Sequence, residues 1–202
     1  MKNTTQYIFL FALLLFSCKK EPAVVIVPPT PLVIEPDYPV NDKYTVLNAP
    51  TIDLLMRLPV ENKIYKWKAN ISAAYIPADS SVFGLSIYTF YKYDSTQPRE
   101  CLLPGDIPLQ VGKYPLTGPY QKGKIYGLFF RQVDDGAIDG DYEIDNDEKS
   151  WIEVTSVDWK NHKVAGNFDL HFKISQPSSL PYPEKVHFYH APFDVKVFKA
   201  PW

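Results

Sequence analysis

The feature that most constrains this chain is an alternation of apolar and polar residues with a period of two. In Asn167 to Ser175 (NFDLHFKIS), Phe168, Leu170, Phe172 and Ile174 share one parity, and Asp169, His171 and Lys173 share the other. Successive side chains of an extended strand point to opposite faces, so this pattern gives one buried and one wetted face. Tyr65 to Ala73 repeats it, with Tyr65, Trp67, Ala69, Ile71 and Ala73 apolar and the residues between them polar.

Phe83 to Tyr91 (FGLSIYTFY) and Ile125 to Val133 (IYGLFFRQV) carry large residues at both parities, so these strands are expected to be covered on both faces. Ile107 to Leu116, Trp151 to Val157 and Val186 to Phe198 bring the set to about seven, joined by turn-rich pieces such as Asp158 to His162. In the last run the apolar parity changes from Val186 and Phe188 to Phe193, Val195 and Val197, and Pro192 sits at the change, which predicts a bulge or an edge. Thr51 to Leu58, bounded by Pro50 and Pro59, is the one candidate for a short helix. The expected fold is all-β: an antiparallel sandwich of about seven to nine strands, immunoglobulin-like or jelly-roll-like, over residues 41–202.

The amino terminus reads as an address. Lys2 precedes an apolar run of ten, Tyr7 to Phe16, which is too short for the roughly twenty residues a bilayer span needs and fits the core of a signal peptide. Leu15-Phe16-Ser17-Cys18 resembles the lipobox of bacterial lipoproteins, in which the signal is cut before the Cys and that Cys carries the lipid. On this reading residues 1–17 are removed and Cys18 bears acyl chains. Residues 18–40 then form a tether, with six prolines between Glu21 and Val40 favouring an extended polyproline-like path that reaches roughly 60 Å. Two apolar patches in it, Val24 to Val27 and Leu32 to Ile34, leave open the alternative that part of the segment adds an edge strand to the domain. Lys19 lacks the Asp that retains enteric lipoproteins at the inner membrane, so the outer membrane is expected, on either face.

Composition removes several classes of function. With 21 basic and 23 acidic residues there is no domain-wide positive field to gather a phosphate backbone, so no nucleic-acid partner is expected. Lipidation of Cys18 leaves Cys101 alone, which excludes an internal disulfide, and no nearby His makes Cys101 a thiolate nucleophile. Gly-x-Ser-x-Gly, Gly-x-Gly-x-x-Gly, phosphate-loop and His-Glu-x-x-His motifs are all missing, so no enzyme activity is expected.

Three clusters remain as candidate sites. Asp134 to Glu148 holds eight carboxylates in fifteen residues, and calcium takes six to eight oxygens from such loops. The candidate ligands of a structural calcium ion are Asp139, Asp141, Asp145 and Asp147, although Ile144 stands where an EF-hand needs Gly, and a solvated loop serves the same sequence. His171 and His187 can meet across paired strands. Two imidazoles with no carboxylate beside them make a poor zinc site, so His162, His171, His187 and His190 are read as surface residues. Trp159, Tyr182 and Tyr189 are the candidate aromatic contacts for a protein or glycan partner.

Gln110-Val111-Gly112-Lys113-Tyr114-Pro115-Leu116, Trp151 to Asp158, Val164-Ala165-Gly166-Asn167-Phe168 and Phe193-Asp194-Val195 resemble recurring blocks of small β-rich lipoproteins of Bacteroidota, a family of unknown function. The likeness covers about the last hundred residues, and Ala191-Pro192 departs from it where Gly is usual. It implies a lipid-anchored β-sandwich with no catalytic residues to carry over. The expectation is a non-catalytic envelope protein that binds a protein or glycan partner. Its rivals are an envelope glycan hydrolase built on the acidic segment and a purely structural envelope component.

Overall fold

The structure is a computed structural model and describes residues 33–35, 44–45, 50–58, 63–76, 79–91, 98–132, 138–176 and 183–199, all within the compact unit Leu32–Trp202. Every regular element among them is a strand. In order these are β1 (Val33–Glu35), β2 (Tyr44–Thr45), β3 (Thr51–Leu58), β4 (Lys63–Ile76), β5 (Asp79–Tyr91), β6 (Pro98–Gly105) and β7 (Ile107–Pro108). There follow β8 (Gly112–Leu116), β9 (Tyr126–Gln132), β10 (Ile138–Ile144), β11 (Ser150–Asp158), β12 (Lys163–Gln176) and β13 (Lys185–Lys199).

Eight of them close a ring. β3, β4, β5, β6, β9, β10, β12 and β13 pair in that order, each antiparallel to the next, and β13 returns to β3 through His187 opposite Arg57 and Tyr189 opposite Leu55. The expected all-β class holds, but the strands form a closed barrel with additions, where two separate facing sheets were expected. Alternation specifies which face of a sheet is buried; curling one sheet on itself satisfies it as well as stacking two.

The remaining strands extend the ring. β7 continues β6 beyond Asp106, whose φ of 54° turns the chain, and β11 continues the line of β10 along β12 after a short excursion at residues 145–149. β8 borders β11, and β1 runs parallel to the start of β4, so Val33–Glu35 of the Pro-rich segment joins the sheet as the edge-strand alternative foresaw.

Thr51–Leu58 is a strand, which corrects the helix expectation. Ile52, Leu54 and Met56 are buried while Thr51 and Asp53 face water, and all eight residues pair with β4. Leu55 obscures that alternation in the sequence; it sits half-buried opposite Tyr189.

Inward-facing side chains fill the barrel. Trp67, Phe129, Phe172 and Phe188 meet at ring distances of 5.0–6.4 Å, and Phe83, Phe168 and Phe193 make a second cluster. Burying each Phe contributes about 1.5–3 kcal/mol. The bulge expected near Pro192 is present: the β12–β13 register shifts between Phe168 and Leu170, and buried positions on β13 change from Val186 and Phe188 to Ala191, Phe193, Val195 and Val197. Outward positions carry Asp53, Lys66, Lys68, Asp194 and Lys196, the inverse of the apolar outer band of a lipid-facing barrel. Among the described residues no helix is long and apolar enough to cross a membrane.

Candidate functional site

On the outer face of the β12–β13 pair, two imidazoles and a carboxylate converge. Asp169 and His171 are two residues apart on β12 and so share a face, and His187 on β13 lies directly opposite His171. Asp169, two residues before His171, is the diagonal cross-strand neighbour of His187, and the extra residue of the adjoining bulge lies on β13. Its Oδ1 lies 2.8 Å from His187 Nε2 and 3.1 Å from His171 Nε2. The two rings stack with centroids 3.7 Å apart at 16°, and Tyr189 extends the column, 4.9 Å from His187.

The backbone beneath is fastened. The His171 N–H donates to Ser150 Oγ at 2.9 Å, and its carbonyl accepts the Asp145 N–H at 2.9 Å, so the strand stays satisfied where β10 gives way to β11. Partial burial on its own would raise the Asp169 carboxyl, but hydrogen bonds from His171 and His187 outweigh it and hold the group well below the usual carboxylate range. Asp169, His171 and His187 offer three ligand atoms within 4.8 Å of one another, the one such group of three among the described residues.

This corrects the reading of His171 and His187 as a pair without a carboxylate. Cross-strand pairing was anticipated; the missing partner was Asp169, two residues before His171. The spacing Asp-x-His on a strand carried that signal, since period two puts both side chains on one face.

A second polar cluster lies inside the barrel. Glu100 Oε1 accepts from Arg131 Nε at 3.1 Å, and its Oε2 accepts from Trp67 Nε1 at 2.8 Å, with Thr89 Oγ1 at 3.5 Å. Thr89, Glu100 and Arg131 are successive cross-strand neighbours on β5, β6 and β9, which aligns them on the inner face. Burial pushes the Glu100 carboxyl up, opposed by the Arg99 guanidinium and by the hydrogen bonds from Trp67 and Thr89. These groups are spent on one another in the packed interior.

The acidic segment is dispersed. Asp145 is turned inward, 1% exposed, with Lys185 Nζ 2.6 Å from its Oδ2 and the Asp147 N–H on its Oδ1 at 3.2 Å. Its burial opposes ionisation, yet these partners hold its carboxyl below the ordinary value. Asp141 lies half-buried on β10 and Asp147 is exposed; the side chain of Asp139 lies outside the described residues, as do Cys18, Tyr182 and the side chain of His190.

The aromatic candidates separate. Trp159 is 59% exposed on the turn between β11 and β12, which Asp158 holds by accepting the N–H groups of Lys160 and Asn161 at 3.0 Å each. Tyr189 belongs to the histidine column, eight residues and about 25 Å of strand from Val197, whose N–H donates to the His162 carbonyl in the Trp159 turn. Beside that turn, Phe198 is 60% exposed, an outward position that strand alternation alone does not mark as a site. Cys101 is buried, and burial, aided by the neighbouring Glu100 charge, pushes its thiol up to about 12.

Comparison with protein-family models, with characterised proteins and with solved structures finds no match.

Proposed function

We propose that this protein is a lipid-anchored component of the cell envelope, held at the outer membrane through Cys18, and that its β-domain is non-catalytic and binds a protein or glycan partner. The observation that carries the binding reading is the end of the barrel where Trp159 and Phe198 keep 59% and 60% exposure beside each other's elements. Flat apolar rings left in water stack on sugar rings or seat against a partner. The apolar run Tyr7 to Phe16 with Ser17-Cys18 directly after it supports the anchor. Among the described residues, packed aromatic side chains fill the barrel interior, which supports the outer surface as the binding face.

The test is capture of a partner by crosslinking in cells, with a glycan array beside it, for the wild type and for Trp159→Ala/Phe198→Ala. The reading expects capture or glycan binding to be lost in the double variant with folding unchanged. Equal capture by both proteins removes this surface from consideration. A crosslinked partner that the double variant loses, with a blank array, selects a protein over a glycan as the partner. The hydrolase reading is weakened by Asp145, whose carboxylate is bound to Lys185 and the Asp147 amide.

A further inference from the structure

We infer that Asp169, His171 and His187 form a binding site for a single divalent transition-metal ion of the zinc class on the outer face of the barrel. The donor set is two imidazole nitrogens and one carboxylate oxygen, the kinds of ligand zinc takes at 2.0–2.2 Å. Ligands at such distances from a four-coordinate ion lie about 3.3–3.4 Å apart. Here Asp169 Oδ1 lies 2.8 and 3.1 Å from the two Nε2 atoms, and the stacked imidazoles have to swing apart on their side-chain torsions for both Nε2 lone pairs to point at one ion.

The backbone of the arrangement is held in advance: both ligand-bearing elements belong to the long β12–β13 pair, and His171 is tied to Ser150 through its backbone. Backbone ordering is already met by the fold, and unstacking the two rings is the cost that falls on the ion. Side-chain exposures of 15–26% leave the site open to an ion from solution, and three protein ligands leave a fourth position for water.

The protons balance without an added acid or base. Two hydrogen bonds to one carboxylate oxygen require a proton on each Nε2. When the ion binds an imidazole that carries one proton, that proton moves to Nδ1 and the Nε2 lone pair goes to the metal. Asp169 exchanges two hydrogen bonds for one bond to a dication.

Zinc alone is the probe. Titrating chelator-stripped protein with Zn2+ is expected to show one ion per chain. Asp169→Asn and His187→Gln are each expected to weaken binding at least tenfold, while His162→Gln, in the turn between β11 and β12, leaves it unchanged. Nitrogen-15 spectra of the wild type are expected to show His171 and His187 switching from the Nε2-protonated to the Nδ1-protonated tautomer on saturation. No saturable uptake, equal affinity in Asp169→Asn and His187→Gln, or unmoved His171 and His187 resonances would each overturn the site. The wild-type spectra keep the question answerable if a variant fails to fold.

Discussion

Inside the barrel, Glu100 Oε1 accepts from Arg131 Nε at 3.1 Å, and the two side chains are 0% and 1% exposed. A charge pair at that depth recovers its lost hydration only through good geometry and further hydrogen bonds, here from Trp67 and Thr89. Removing one partner leaves the other charged and buried. Glu100→Gln is therefore expected to destabilise the fold by about 3–5 kcal/mol in chemical denaturation. Glu100→Leu/Arg131→Met, which removes this pair and leaves the buried Arg99 guanidinium 3.7 Å from the former Glu100 carboxylate, is expected to cost less than the sum of the two single changes. Additive losses would show that the two groups are not coupled.

Gly166 offers a sharper steric test. It faces Phe193 on β13, and a Cβ there runs into the Glu153 carbonyl oxygen and comes within 2.6 Å of the Phe193 ring. The carbonyl belongs to the paired β11 backbone and cannot swing away. Gly166→Ala is expected to cost about 1–3 kcal/mol, at about 2–4 °C in Tm per kcal/mol. A wild-type melting curve would show that the β11–β12 pair yields.

The Asp169 carboxyl predicts a signed dependence on pH. Its folded-state pKa is depressed, so its contribution to stability is present above the unfolded value of about 3.9 and is lost as pH falls through the folded value. With chelator present, the Tm gap between wild type and Asp169→Asn is expected to be open at pH 5 and to narrow steadily below about pH 4. A gap that stays constant down to pH 2 would contradict the two-histidine hydrogen-bond arrangement.

Cys101 should be silent toward thiol reagents. Its side chain is buried on β6, and its thiol is pushed up to about 12, so almost no thiolate exists at neutral pH. In a Cys18→Ser protein, a chromogenic disulfide reagent is expected to find no reactive thiol in the native state and one after denaturation. Rapid native labelling would mean that β6 opens readily.

Lipidation predicts that Cys18→Ser moves the protein from the membrane fraction to the soluble periplasmic or secreted fraction. Retention of the variant with membranes would count against the anchor.

Much of the fold is legible in the residues themselves. The alternations of Tyr65 to Ala73 and of Asn167 to Ser175 name the buried residues of β4 and β12, and the parity change about Pro192 marks the bulge in β13. Asp158 at the start of its turn is equally plain, because its carboxylate makes the local hydrogen bonds that such turns use. Thr51 to Leu58 was harder: flanking prolines and the Leu54-Leu55-Met56 run masked a period of two that only pairing with β4 and β13 enforces.

The sequence by itself determined that this chain makes strands, and which side of most of them is dry, because side-chain direction along a strand is a local property of the backbone. Tertiary structure alone decided that the strands close into a ring and that Asp169 reaches both histidines. Ring closure depends on which distant edges meet, as β13 meets β3, and the metal-ligand set depends on the register that puts His187 opposite His171 and diagonal to Asp169. Neither is encoded in any short window of residues.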